Sequence, residues 1–96
     1  MVIRIRDFVS GANTSEEGEI VFRRLSNELS SQKAAIVVSF EGIQTATSSF
    51  VNVAFVDLLN SFSYADLKNR LRVINSTRQI NNMIKTRLAR TSDMVA

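Results

Sequence analysis

The chain has no cysteine, histidine, proline or tryptophan. Without cysteine there is no disulfide frame, thiol nucleophile or thiolate zinc site. Without histidine there is no imidazole base and no ordinary zinc or iron site. Glycine is scarce: Gly11, Gly18 and Gly42 are too scattered to cradle a phosphate, and no Walker motif exists. Long apolar runs are also missing. The longest, Ala34 to Val38, falls far short of the roughly 20 residues that span a bilayer. Residues 1–8 lack the apolar centre of a signal peptide. A cytoplasmic location with no membrane partner is therefore expected. What is present suffices for a core. With 96 residues, 45% hydrophobic and six Phe, residues 1–96 are read as one domain. Such a chain buries on the order of 60–65% of its unfolded surface.

The net charge of +3 is unevenly spread. Up to residue 45, five cations face six anions. From residue 66 onward, Lys68, Arg70, Arg72, Arg78, Lys85, Arg87 and Arg90 face only Asp66 and Asp93, a surplus of +5. Such a tail suits nucleic acid, acidic lipid or an acidic protein and does not choose among them.

The patterning alternates between strands and helices. Ile3 to Arg6 alternates like a half-buried strand. Thr14 and Glu17 stand at capping-box spacing before a helix to about Ser30, with Val21, Phe22, Leu25 and Leu29 as its buried stripe. Ala35 to Phe40 barely alternates, which predicts a central strand covered on both faces. A polar loop with Ile43 as apolar plug precedes a helix predicted over Ser48 to Phe62. Ser63 and Asp66 predict a short third helix, and Leu71 to Asn75 a third strand. Ser76 and Gln79 predict the cap of a last helix ending near Arg90, with Ile80, Ile84 and Leu88 buried and Met83 beside them. The order β-α-β-α-β-α predicts a small α/β domain with a mainly parallel sheet of three or four strands.

One stretch carries more. Ile36 to Phe40 is an apolar strand. Glu41-Gly42-Ile43 follows, and Thr47-Ser48-Ser49-Phe50 opens a helix. This pattern resembles the STAS family: anti-sigma-factor antagonists, sulfate-transporter domains and, closest, small stand-alone STAS-like domains. Phe40-Glu41-Gly42-Ile43 and Ser48-Ser49-Phe50 carry the likeness. Thr47 stands where the antagonists have Asp, Phe50 where they have Gly, and Ser39 where the stand-alone group has a strand-end Asp. The resemblance implies a STAS-like fold and a partner protein, such as a histidine-kinase-like ATPase, bound near this helix start. It also makes Ser48 the candidate phosphorylation site. A phosphate adds about −1.5 to −2 charges and would alter a partner surface built there.

On the second helix, Phe50, Val51, Ala54, Phe55, Leu58 and Phe62 share the core face. Asn52, Val53, Val56 and Asn60 fall on the other side, a low-charge surface suited to protein contact. With Thr45, Thr47, Ser48 and Ser49 they form the candidate partner-binding set, in the loop and helix over 44–60.

Other chemistries find little support. Glu41 has no second group fixed beside it. Ser48 and Ser49 have no His base, and no Ser-x-x-Lys pair begins at either. The acidic residues show no EF-hand spacing. The expectation is a non-enzymatic regulatory domain without cofactor or metal. The first alternative is a nucleic-acid-binding accessory protein using the 68–90 region, with Arg78, Lys85, Arg87 and Arg90 as basic patch. Arg78 and Lys85 share one side of the last helix and Arg87 lies opposite. No aromatic beyond Tyr64 offers a base-stacking platform. The second alternative is a homo-oligomeric module, a homodimer meeting through Val53 and Val56.

Overall fold

A computed structural model describes residues 2–95, with side chains through Thr91. Asp93, counted in the basic tail, lies outside the described side chains. Three strands, β1 (Val2–Arg4), β2 (Ile36–Ser39) and β3 (Leu71–Ile74), form a parallel sheet in the order β1-β2-β3. The helices are α1 (Ser15–Ser31), α2 (Ser48–Ala54), α3 (Tyr64–Arg70) and α4 (Arg78–Val95). The alternation and the central place of β2 agree with the sequence.

The first strand is shorter than expected. After Arg4 the chain enters a 3₁₀ turn, Ile5–Asp7, whose Ile5 carbonyl accepts from the N–H groups of Phe8 and Val9. This redirects the backbone toward α1 while Ile5 and Val9 stay in the core.

Thr14 and Glu17 form the expected capping box. The Thr14 hydroxyl accepts from Glu17 N–H at 3.1 Å, and the Glu17 carboxylate accepts from Asn13 and Thr14 N–H at 3.0 and 3.1 Å. The Asn13 N–H, with the Thr14 hydroxyl and N–H behind it, holds the Glu17 carboxyl below its ordinary pKa. A lowered folded value gives stability that is present above the unfolded pKa and lost as pH falls through the folded one. Glu17→Gln is therefore expected to flatten the acid limb of the stability curve, measured by thermal melts from about pH 7 to pH 3. Equal acid sensitivity in both proteins would contradict this role.

The predicted second helix is broken. α2 ends at Ala54 and a 3₁₀ turn, Val56–Asn60, follows. Val51, Val53, Val56, Asp57 and Asn60 are weak helix formers. The core face survives the change of pitch, because spacings of three and four serve both helix types. Phe50, Val51, Ala54, Phe55 and Leu58 are buried, Phe62 partly so. Phe55 stacks on Phe40, ring centroids 6.1 Å apart.

The cap of α4 is also displaced by one residue. Thr77, not Ser76, accepts from Ile80 N–H, at 3.2 Å. Ser76 donates instead to the Asn81 side chain, and Gln79 donates to the Ala46 carbonyl. The helix also continues past Arg90.

A larger correction concerns the sheet. Ile3, Val38 and Val73 are level across the three strands on the helix-covered side. Val2, Val37 and Arg72 are level on the other side, where Val2 is 60% exposed, Ile74 42% exposed and Val37 half-buried. The helices thus cover one face, and the apolar run of β2 does not mark a doubly covered strand. Crossovers are almost always right-handed, so two that step the same way across a sheet place their helices on the same side.

Arg70, part of the basic tail, serves the fold. Its guanidinium donates to the Leu29 and Gln32 carbonyls at the end of α1 and pairs with Asp66. These are carbonyls that a helix end leaves unpaired, and a cation suits that end of the macrodipole.

Candidate functional site

The loops at the carboxyl ends of the parallel strands gather on one rim, the usual place for binding in open α/β sheets. The 40–47 loop is held from three directions. Ser39, 3% exposed, accepts from Asn75 Nδ2 at 3.1 Å and from Glu41 N–H at 3.3 Å. Asn75 has φ 55°, a left-handed conformation that Asn tolerates better than most residues. Glu41 pairs with Arg4 at 2.7 Å in the open, a surface ion pair. Gly42 has φ 83° and lies under Arg6, which a side chain there would displace. Ile43 and Ala46 plug the loop into the core. On the α4 side, the Thr77 hydroxyl and Gln79 amide donate to the Gln44 and Ala46 carbonyls, each at 3.4 Å.

Thr47 fixes the last link. Its N–H donates to the Ala12 carbonyl, its hydroxyl donates to the Asn13 carbonyl at 2.9 Å, and the same oxygen accepts from Phe50 N–H at 3.2 Å. It is the N-cap of α2 and ties that helix to the start of α1. Thr45, Ser48 and Ser49 are exposed. Among the described residues, the Ser48 and Ser49 hydroxyls make no hydrogen bond. The candidate hydroxyls therefore separate into one structural group, Thr47, and a free pair beside it.

The expected outward patch on α2 is only partly realised. Asn52 and Asn60 are exposed, but Val53 and Val56 are half-buried. Val53 faces α1 at Gly18, where an added Cβ would lie 3.1 Å from Val53 Cβ and 2.9 Å from the Phe50 carbonyl oxygen. Val56 packs against the core from the 3₁₀ turn. The cause is the close α1–α2 approach that Gly18, in the first turn of α1, permits. Helical periodicity in α2 alone does not reveal it.

Nor do the tail cations form one patch. Arg78 is exposed at the start of α4 beside the 44–47 loop. Lys85 borders a groove between α3 and α4. Arg87, half-buried, donates to Asn52 Oδ1 at 3.4 Å and so joins α4 to α2. Arg90 flanks a shallow recess with Arg87. Sequence reasoning missed Asn75, Gly18 and the Arg6–Gly42 contact. Only the glycines carried a local signal.

Among the described residues no three or more Asp or Glu side chains gather as metal ligands. No described helix is long and apolar enough to cross a membrane. A family model described as a STAS-like domain of unknown function matches residues 17–81, more than half of the chain. The match runs from the capping box of α1 to the first turn of α4. No curated protein and no solved structure matches.

Proposed function

Because the chain belongs to the family of STAS-like domains of unknown function, we propose that it is a non-catalytic regulatory domain that binds a partner protein through the 44–60 region. The partner class is a histidine-kinase-like ATPase, and Ser48 is the residue it phosphorylates. The observation that supports this reading is the division of labour at the α2 start. Thr47 is consumed by capping and holds the segment still, while Ser48 and Ser49 present free hydroxyls on it.

Charge supports the switch. Asn52 lies one helical turn beyond Ser48 and holds the Arg87 guanidinium. A phosphate of about −1.5 to −2 charges on Ser48 would compete for that cation and loosen the α4–α2 contact. The missing imidazole and thiol fit hydroxyls that are substrates and not nucleophiles.

The test starts from pull-down with the full chain as bait, to obtain the ATPase. Incubation with that ATPase and ATP is expected to add one phosphate by intact-mass spectrometry, absent in Ser48→Ala. A complex that forms and transfers no phosphate ends the phosphorylation reading. Recovery of no ATPase ends the partner assignment.

A further inference from the structure

Two features meet at the far edge of the sheet, away from the α2 start. The first is an open strand. Among the described residues β3 pairs only with β2. Phe40 N–H donates to the Ile74 carbonyl, so Ile74 and, two residues back, Arg72 direct their backbone groups toward β2. Val73 N–H and C=O and the Leu71 C=O therefore point outward, while Leu71 N–H is taken by the α3 cap. Unpaired edge groups of this kind are a template for another strand.

The second feature is an apolar groove above the same strand. It has a volume of about 230 Å³ and is walled by Leu71, Val73, Ile84 and Leu88, with Phe55 in its lining. That exceeds the roughly 150 Å³ of an apolar cavity able to hold benzene. Leu71 and Val73 are only half-buried, whereas Ile36 and Val38, their level partners on β2, are fully covered. The helix layer stops short of the edge strand.

Charge narrows the occupant. Lys68 and Lys85 also line the groove, and among the described residues no carboxylate does. Arg72 is exposed on the uncovered face of β3 and, among the described residues, has no ion pair. A strand laid along β3 alternates its side chains between these two environments. One set enters the apolar groove between two lysines, and the other lies level with Arg72.

We propose that β3 and this groove accept an extended segment of a partner protein in which apolar and acidic residues alternate. The segment extends the sheet by a strand. Its apolar side chains fill the groove and its carboxylates meet Arg72, with Lys68 and Lys85 at the rim. This surface is separate from the α2 start and does not depend on phosphorylation there.

The probe is a fluorescein-labelled peptide of alternating valine and glutamate, followed by fluorescence anisotropy with the full chain. Saturable binding is expected, with protection of the Val73 amide from hydrogen exchange. Arg72→Glu and Lys85→Glu, both at exposed positions, are each expected to weaken binding about tenfold with unchanged circular dichroism. N-methylation of alternate peptide nitrogens on the edge facing β3 should abolish it, because that removes the ladder donors. No saturable binding would overturn the proposal. So would binding indifferent to both charge reversals and N-methylation. Sodium octanoate that binds the groove where the peptide does not would assign it to a small amphiphile and overturn strand addition.

Discussion

Phe55→Ala is expected to remove about 3–5 kcal/mol of folding stability. Phe55 is fully buried, stacks on Phe40 with the rings 24° apart, and sits where α2 gives way to the 3₁₀ turn. Its ring therefore packs on the residue that follows β2 and also lines the groove beside β3. Truncation joins a new cavity to an existing one, and the walls on the β3 side cannot collapse without the edge strand moving. A domain of this size holds about 5–15 kcal/mol in total. The melting midpoint should then drop by roughly 12 °C or more. Phe55→Leu, which keeps most of the volume, should cost less than about 1.5 kcal/mol. Urea unfolding followed by circular dichroism reads both. An alanine variant within about 1 kcal/mol of the parent would mean that the Phe40–Phe55 pair is not central to the core.

Substitution of Gly18 tests a sign. In an ordinary helix interior, Gly to Ala gains about 1 kcal/mol. At Gly18 the new Cβ would meet the Phe50 carbonyl oxygen at 2.9 Å and Val53 Cβ at 3.1 Å. The carbonyl belongs to α2 and cannot rotate aside, so α1 and α2 must separate. Gly18→Ala is expected to destabilise by about 1–3 kcal/mol and Gly18→Val by more. Because Thr47 ties α2 to the loop before α1, the separation should also shift the backbone amide resonances of Ser48 and Asn52. An alanine variant more stable than the parent would refute the close contact.

Much of this fold is legible in local pattern. The Thr14–Glu17 capping box, the Ser63 cap and the stripes on α1 and α4 follow from residue spacing, and the structure repeats them. Three of the misreadings turn on contacts that local pattern does not show. Ser76 and Thr77 are adjacent hydroxyls, and contacts with Gln44 and Asn81 decide which one caps. Val53 lies off the core face of α2 by periodicity, and only the opposite glycine shows why it is covered. The run Ile36-Val37-Val38 looks doubly buried, yet exposure of its second face depends on the direction in which successive strands are laid down. At the candidate site, the hydroxyl cluster was visible in the sequence. That Thr47 is committed and Ser48 free required the positions of Ala12 and Asn13.

The grip of Arg70 on the end of α1 bears on how the chain acquires its shape as it is made. The guanidinium and the carbonyls it satisfies are 38 and 41 positions apart, and β3, which completes the sheet, begins at the very next residue. A nascent chain released only as far as α2 would have the components of the first crossover without the cation that closes α1 or the strand that covers one side of β2. Domains generally fold as units during synthesis. Here neither the sheet nor the closure of α1 can be completed until the stretch around residue 70 has left the ribosome. Ribosome-bound chains arrested on either side of that point should change sharply in protease resistance.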